Sequence, residues 1–268
     1  MKALALRTAA PEMAPIPSLI GRETTRYLVA QQFLTRLPTP SWITYEPGGL
    51  ARAARYFPLV GLIVGGLSAL TWMIFAPVLP SPLAAGLALA VLVLTTGALH
   101  EDGLADCCDG LGGGDSREKA LEIMRDSQIG AYGAIGLILT IGLRWVALSG
   151  FEVIEGAAAI VLAPVLGRGA MVVLLAFGAY ARTEGAARDV KDGVTKSELA
   201  IALIICALVA VLLAGLIGLL ILLAALVASA LWLKWLTHRL GGYTGDGLGA
   251  AEQIVQVLTL LCLAVAWT

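Results

Sequence analysis

The chain has 268 residues, of which 59% are hydrophobic and 14% charged, and its mean hydropathy of +0.87 is typical of polytopic membrane proteins rather than soluble ones. A net charge of -1 argues against a nucleic-acid partner. The four cysteines show neither a zinc-site spacing nor a disulfide framework, and we interpret them as small packing residues.

The N-terminal region precedes the first long apolar run. Residues 1–20 contain three prolines and no sustained apolar core, which predicts a flexible tail rather than a signal peptide. Residues 22–37 mix arginines with apolar and aromatic side chains. This pattern favours a helix that lies on the membrane surface and ends before Pro38.

Apolar runs then predict about seven membrane crossings, so the expected fold is all-α, a polytopic integral membrane helical bundle. The runs cover residues 57–79, 83–99, 129–148, 156–180, 199–236 and 248–267. The first carries Gly61 and Gly65 at GxxxG spacing, which is typical of closely packed membrane helices. The fifth is too long for one crossing of a core about 30 Å thick at about 1.5 Å per residue, so we expect a break near Gly215.

Lysine and arginine alternate between the connections. They occur before residue 57 and within 100–128, 181–198 and 234–239, whereas the connections at 80–82, 149–155 and Gly215 have none. Basic connections face the cytoplasm, so the polar connections are predicted to share the cytoplasmic face of a cell inner membrane.

Residues 100–126 hold eight of the nineteen acidic residues. Asp102, Asp106 and Asp109 recur at i, i+4 and i+7, which is one face of a helix, and a second series after a glycine turn includes Glu122 and Asp126. Like charges at this spacing repel. The pattern therefore predicts a neutralising partner.

A hard divalent cation, Mg²⁺ or Mn²⁺, suits a cluster of oxygen ligands that shares the rest of its coordination shell with phosphates. The alternative is a solvated acidic loop. Zinc bound by His100, Cys107 and Cys108 is disfavoured, because the region has one histidine and many carboxylates.

The connection 241–252 places Asp246 among glycines just before a span, where backbone amides can approach an anion closely. A glycine-rich turn in which Thr244 or Asp246 caps the last helix explains the same residues. Arg144 and Arg168 lie inside apolar runs, where a charge costs about 3 kcal/mol unless it is paired. We expect Arg168 to meet a phosphate or a carboxylate, and Arg144 to do the same or to form a buried structural ion pair.

Three classes of membrane protein fit these features. One is a transferase acting on a diphosphate, since Asp106-x-x-Asp109-Gly110 is similar to the pattern of CDP-alcohol phosphotransferases, although the Ala-Arg that follows in that family is absent. Another is a prenyltransferase, which also binds Mg²⁺-diphosphate through aspartates. The third is an ion-coupled transporter, whose acids are usually near the bilayer midplane rather than at its edge.

Further motifs follow one another in the order of a known family. They are His100, 102–106, Asp109-Gly110, 122–127 and Gly130, together with Phe33, 35–38, 57–61, Arg168-Gly169, Gly241-Gly242, 244–246 and 248–250. With these motifs the chain resembles the cobalamin synthase family, the adenosylcobinamide-GDP ribazoletransferases of cobalamin assembly. Glu101 departs from the family, which more usually has an apolar residue there.

The resemblance implies that residues 21–268 form a single transmembrane catalytic domain. The ribose hydroxyl of α-ribazole, or of its 5′-phosphate, would attack the GDP-activated phosphate of adenosylcobinamide-GDP. This releases GMP and gives adenosylcobalamin or its 5′-phosphate.

The needs of such a phosphoryl transfer give the acidic and basic residues their expected roles. The metal ligands for Mg²⁺ are Asp102, Asp106, Asp109 and Asp126. The catalytic residues are Asp106, Asp109, Glu122 and Asp126, with Glu122 or Asp126 taking the proton of the attacking hydroxyl. The substrate-binding residues are Arg36, His100, Arg125, Arg168, Thr244 and Asp246. Membrane lipid is the remaining expected partner.

Overall fold

A computed structural model of the protein describes residues 19–41, 43, 48–182 and 193–267. The tail predicted for residues 1–20 lies almost entirely outside the described residues. So does most of the basic connection at 181–198. The described chain is helical, and its β-structure is an isolated bridge between Tyr180 and Tyr243.

The helices follow one another along the described chain. They are α1 (Leu19–Leu34), α2 (Gly49–Ala53), a 3-10 turn (Ala54–Tyr56), α3 (Phe57–Phe75), α4 (Ser81–Thr96), α5 (Leu99–Gly113), α6 (Arg117–Ile123), α7 (Ala131–Ser149), α8 (Val153–Phe177), α9 (Lys196–Leu240) and α10 (Gly245–Trp267). Pro58 lies in the first turn of α3. The N–H groups of this turn have no acceptor within the helix, so the missing N–H of proline costs no hydrogen bond.

The prediction of an all-α polytopic membrane protein is confirmed. Among the described residues, five helices are long and apolar enough to cross a membrane, and α4 with α5 make a sixth if the bent pair is one span. This count is below the expected seven. One reason is that α4 alone has only 16 residues, and another is that α9 counts as one helix of 45 residues.

The long helix α9 reverses direction at Gly215, where φ is 57° and ψ is -134°. A Cβ atom on Gly218 would come within 2.1 Å of the carbonyl oxygen of Ala210. Residues eight apart in a continuous helix are separated by about 12 Å along its axis. The chain therefore folds back as a hairpin of two helical arms, and the predicted break at Gly215 is confirmed.

The most buried of the candidate spans is α8, which packs closely against α3. A Cβ atom on Gly61 would lie 2.6 Å from the carbonyl oxygen of Pro164, and one on Gly65 would lie 2.9 Å from the Cα of Val161. The two glycines thus let the backbones of α3 and α8 touch, as their GxxxG spacing predicts.

The polar connections gather at one end of the bundle, which we call the polar end. Here Arg239 at the end of α9 donates hydrogen bonds to the carbonyl oxygens of Leu111 (3.2 Å) and Gly114 (3.0 Å) at the end of α5. The opposite end is joined by tryptophans. Trp72 Nε1 donates to the Val153 carbonyl oxygen at 2.8 Å, and Trp145 Nε1 donates to that of Pro82 at 2.6 Å.

The N-terminal helix α1 is fastened to the bundle at the polar end. Glu23 accepts a hydrogen bond from the Tyr56 hydroxyl at 2.7 Å and lies 3.6 Å from Arg55, which also pairs with Glu198 of α9. The hydrogen bond from Tyr56, helped by the charges of Arg26 and Arg55, holds the pKa of Glu23 below its ordinary value. The placement of α1 on a membrane surface stays a prediction.

Candidate active site

A sharp bend presents the acidic helix α5. Gly97 and Ala98 both adopt left-handed backbone conformations, with φ of 66° and 58°, and α5 leaves α4 at an angle of 88°. Arg36 is exposed and lies against this bend. Its backbone N–H donates to the Thr95 carbonyl oxygen at 2.8 Å, and a Cβ atom on Gly97 would lie within 2.4 Å of its Nε atom.

The first turn of α10 lies directly against α5. A Cβ atom on Gly103 would be 2.9 Å from the carbonyl oxygen of Asp246, and one on Gly249 would be 3.2 Å from the Cα of His100. At Gly103 a Cβ atom would collide with the backbone of α10, and at Gly249 it would fit only if the helices moved apart by a few tenths of an ångström. The contact at Gly103 brings Asp246 beside the acidic residues of α5.

Asp102, Asp106 and Asp246 form an acidic group, which we call the acid cluster. Asp106 is repelled by both Asp246 and Asp102, and Asp246 is repelled by Asp102. The nearby cation is Arg182, whose Nη2 lies 2.7 Å from Oδ2 of Asp246. When all three carboxylates are ionised, Arg182 balances only one of them, so the cluster has an excess of negative charge over the cations of the described residues around it.

Asp109 has a different environment from Asp106, although the two are less than one helical turn apart. Its Oδ2 accepts a hydrogen bond from the backbone N–H of Gly130 at 2.7 Å, and its Oδ1 accepts one from that of Gly133 at 2.8 Å. The side chain is buried. A carboxylate is stabilised at a helix N-terminus by its free amides and dipole, so Asp109 fastens α5 to the start of α7.

The second series of acidic residues lies in and after α6 and is exposed. Glu122 accepts from Lys119 Nζ at 3.1 Å, and Asp126 Oδ1 accepts from the backbone N–H of Gln128 at 3.0 Å. Arg125 is also exposed. Ser116 caps α6, because its hydroxyl oxygen accepts from the N–H of Lys119 at 3.2 Å. Neither the Glu122 contact nor the Asp126 contact joins the second acidic series to the aspartates of α5.

The predicted four-aspartate metal site is therefore not preassembled. Within the described ranges, no group of three or more histidine, cysteine, aspartate or glutamate side chains is arranged to hold a metal ion. Asp102 and Asp106 lie with Asp246, Asp109 lies with the amides of α7, and Asp126 lies in the exposed turn after α6.

The loop before α10 is built from the glycine motif noted in the sequence. Thr244 is fully buried, and its hydroxyl oxygen accepts from the N–H of Gly247 at 3.0 Å, which is the capping role considered for it. Tyr243 exchanges backbone hydrogen bonds with Ala179 (2.9 Å) and Ala181 (2.8 Å). A Cβ atom on Gly242 would lie 2.0 Å from the Ala179 carbonyl oxygen, so this strand-like contact requires glycine.

The two tyrosines of this bridge stay protonated. Their ring centroids are 5.6 Å apart. Burial raises the pKa of Tyr243 to about 12 and raises the pKa of Tyr180 as well. Arg117 connects the same region to α6, because it donates to the carbonyl oxygens of Leu240 at 2.7 Å and Ala181 at 3.0 Å.

Arg168 and His100 lie deeper in the bundle, and both are buried. Arg168 Nη1 donates to Glu252 Oε1 at 2.8 Å and to the Pro164 carbonyl oxygen at 3.2 Å. Arg168 thus has the carboxylate partner that was one of its two expected partners. Its Nε and Nη2 atoms, like His100 Nε2, make no hydrogen bond within the described part of the chain.

Sequence reasoning missed the acidic partners of the buried arginines. Glu101, set aside as a departure from the family pattern, lies 3.2 Å from Arg144, and Glu252 neutralises Arg168. The sequence contained a signal for these ion pairs, because a charged side chain in apolar surroundings needs a partner of opposite charge, and two acids and two arginines were present there. Arg144 forms the buried ion pair that was one of its two expected environments.

Comparison with known proteins agrees with the resemblance noted in the sequence. A family model described as cobalamin-5-phosphate synthase matches residues 26–264. Proteins named adenosylcobinamide-GDP ribazoletransferase from Leptothrix cholodnii and Ralstonia nicotianae are each 41% identical to the chain, over 91% and 92% of it and 97% of their own length. A protein with the same name from Shewanella amazonensis is 37% identical to the chain, over 94% of the chain and 99% of its own length. No solved structure matches the chain. With a family match over nearly its whole length, the chain belongs to the cobalamin-5-phosphate synthase family.

Proposed function

We propose that the protein is an adenosylcobinamide-GDP ribazoletransferase that joins α-ribazole, or its 5′-phosphate, to adenosylcobinamide-GDP. Family membership across residues 26–264 is the observation that carries this proposal. The names of relatives that are 37–41% identical support the choice of substrates.

In the proposed reaction the ribose hydroxyl of α-ribazole replaces GMP on the phosphate that bears the cobinamide. The ribose hydroxyl oxygen forms a bond to the phosphorus that bears the cobinamide. The bond from that phosphorus to the bridging oxygen of the diphosphate breaks, and GMP leaves with this oxygen. The hydroxyl proton passes to a carboxylate at the polar end. Such a transfer depends mainly on alignment and on neutralisation of phosphate charge.

The chemistry of the acid cluster suits the Mg²⁺ expected from the acidic pattern of the sequence. Asp102, Asp106 and Asp246 supply oxygen atoms only, and Arg182 balances only one of the three carboxylates. Mg²⁺ binds proteins through few carboxylates and completes its shell with water and phosphate oxygens. We therefore propose that Asp102, Asp106 and Asp246 would hold Mg²⁺, which would neutralise the diphosphate oxygens of the bound substrate. In the described chain these three side chains are not arranged around an ion, so they would have to move together when Mg²⁺ and the diphosphate bind. In this assignment Asp246 is a metal ligand in addition to its expected role at the substrate.

The remaining acidic residues with expected roles do not bind Mg²⁺ in this proposal. Asp109 holds the start of α7 with both carboxylate oxygens, so its contribution is the placement of α5. Glu122 and Asp126 are exposed, and we keep the prediction that one of the two accepts the proton of the attacking hydroxyl.

Three basic residues remain available for the phosphate oxygens of the substrate. Arg36 and Arg125 are exposed at the polar end. Arg168 is buried, but Nε and Nη2 form the edge of the guanidinium that suits two oxygens, and neither atom donates to a described residue. We keep all three as predicted phosphate contacts.

We further propose that the polar end faces the cytoplasm of a cell inner membrane. The alternation of lysine and arginine between connections supports this orientation. The contacts among α5, α6, α9 and α10 gather the basic connections at one end of the bundle.

Turnover by the purified protein tests the proposal. The protein in detergent or vesicles is mixed with adenosylcobinamide-GDP, α-ribazole and Mg²⁺, and GMP and the corrinoid product are quantified. α-Ribazole 5′-phosphate is assayed in parallel, since the ratio of the two kcat/KM values identifies the preferred acceptor. An Asp106→Asn variant, matched for expression, is the blank. A folded wild-type protein that releases no GMP with either acceptor would exclude this function.

A further inference from the structure

The interior of the bundle beneath the acid cluster contains an extended polar network. Its members come from four helices: Glu101 from α5, Arg144 from α7, Arg168 from α8, and Glu252, Gln253 and Gln256 from α10. Every one of these side chains is buried. Two arginines and two glutamates balance one another in charge. A buried charge is tolerated when it is paired and hydrogen-bonded, so each arginine depends on its glutamate.

Glu101 is the member of this network that belongs to α5. Its Oε1 atom accepts from Arg144 Nη2 on α7 at 3.2 Å and from Gln253 Nε2 on α10 at 3.0 Å. Arg144 is held in turn, because its Nη1 donates to Gln256 Oε1 at 3.2 Å. One side chain of α5 is thus fixed to two neighbouring helices at once.

The position of Glu101 determines which way its neighbours on α5 point. Successive residues of an α-helix are rotated by about 100°, so Asp102 and Asp106 project about 100° and 140° away from Glu101 and lie on a common face. With Glu101 directed into the interior, this face is turned towards Asp246. Rotation of α5 about its axis would move both aspartates away from Asp246.

The start of α5 needs such a constraint. Ala98, immediately before the helix, is the one non-glycine residue of positive φ in the described chain. L-residues with a Cβ adopt this conformation rarely, and they keep it where surrounding contacts enforce it. The anchorage of Glu101, three residues later, is such a contact.

We propose that Glu101 and Arg144 act as a positioning pair that fixes the rotation of α5 and so holds Asp102 and Asp106 beside Asp246. This inference rests on the proposed function, in which the acid cluster holds Mg²⁺-diphosphate. Glu101 and Arg144 need not touch the substrate. Their effect on the reaction passes through the aspartates of α5.

The test removes both charges together. Glu101→Gln or Arg144→Gln alone strands a buried charge, and each should lower the melting temperature strongly. The double variant Glu101→Gln/Arg144→Gln strands none, and it should recover most of that loss. Its kcat should nevertheless be about 10- to 100-fold below the wild-type value, because small displacements of catalytic groups have effects of this size, while KM changes little. The rise in melting temperature on addition of Mg²⁺ should shrink in parallel.

Two further variants separate positioning from general stability. Arg144→Lys keeps a cation opposite Glu101, so its kcat and Mg²⁺ response should lie closer to the wild type than those of Arg144→Gln. The control is Arg55→Gln/Glu198→Gln, which removes an ion pair between the 3-10 turn and α9 that does not involve α5. It should lower the melting temperature and leave kcat unchanged.

The outcomes distinguish this inference from the proposed function. A double variant with wild-type kcat and a wild-type Mg²⁺-induced rise in melting temperature would show that the pair only stabilises the bundle. If the double variant does not fold, Glu101→Asp takes its place, because it keeps both charges and shortens the side chain that holds α5. Wild-type kcat and Mg²⁺ response in Glu101→Asp would then overturn the inference. Absence of GMP release by the wild type would contradict the proposed function. The Mg²⁺-induced change in melting temperature would then still decide whether the pair positions the acid cluster.

Discussion

Gly103 of α5 and Asp246 of α10 are in backbone contact, so that a Cβ atom at position 103 would come within 2.9 Å of the Asp246 carbonyl oxygen. This contact joins the two parts of the acid cluster, which are far apart in the sequence. The same crossing is repeated at Gly249, whose missing side chain makes room for the backbone of His100.

Gly103→Ala should therefore separate the aspartates of α5 from Asp246. The added methyl group meets backbone atoms, so the helices must move apart, and we expect kcat to fall by about 10- to 100-fold. The matched control is Gly66→Ala in α3, where a Cβ atom meets nothing within 4 Å. That change should leave turnover unaltered. Unaltered turnover in Gly103→Ala as well would mean that the contact does not organise the site.

Asp106→Asn tests whether the acid cluster holds Mg²⁺. The substitution keeps the size of the side chain and removes its charge, so turnover should collapse while the protein stays folded. A cation at about 100 times its Kd stabilises the native state by about 2.7 kcal/mol, and this Mg²⁺-dependent rise in melting temperature should be much smaller in the variant. Asp115→Asn, an exposed change in the same region, is the control. Wild-type turnover that persists in excess chelator would exclude the metal.

Asp109→Asn should affect stability more directly than Asp106→Asn does. Asparagine has one acceptor oxygen, so one of the two backbone N–H groups of α7 loses its partner and faces the amide N–H₂. We expect a loss of about 1–3 kcal/mol in the free energy of unfolding, measured by thermal or denaturant unfolding. An Asp109→Asn protein of wild-type stability without turnover would instead identify Asp109 as a metal ligand, as the acidic pattern of the sequence predicts.

Arg168→Met leaves the buried carboxylate of Glu252 without its guanidinium. Breaking one side of a buried ion pair costs about 3–5 kcal/mol, so the folded fraction and the melting temperature should both fall. Arg168→Lys keeps the charge and should lose less. A lysine variant that is as stable as the wild type but inactive would favour a direct contact between Arg168 and a substrate phosphate.

The orientation of the bundle predicts the behaviour of fusion reporters. A reporter that functions only in the cytoplasm should be active after Gly114 or Gly242, at the polar end, and inactive after Ser81 or Glu152, at the opposite end. Activity after Ser81 or Glu152 would reverse the proposed orientation.

Much of the fold follows from local properties of the sequence. Long apolar runs predict the helices, the length of the run around Gly215 predicts the reversal, and the spacing of Gly61 and Gly65 predicts that this face of α3 packs closely against another helix. These features depend on one helix or on one turn. For this reason they can be recognised without knowing which other helices lie nearby.

The partners within the site are set by tertiary contacts instead. The spacing along α5 places Asp109 on the same face as Asp106. Because α5 crosses α7, however, Asp109 accepts hydrogen bonds from two backbone N–H groups at the start of α7. Asp246 joins the acid cluster because α10 crosses α5 at Gly103. Periodicity within a helix identifies a shared face but does not identify what that face meets.

The reversal at Gly215 is a suitable position for attaching a label to the protein. Nothing lies within 4 Å of a Cβ atom built there, the turn joins the two arms of α9 at the end of the hairpin away from Arg239, and α9 packs mainly against α8. A short epitope or a fluorophore inserted at this turn should leave the acid cluster undisturbed. Purification, immobilisation on a surface and single-molecule imaging of the enzyme at work could all begin from this one site.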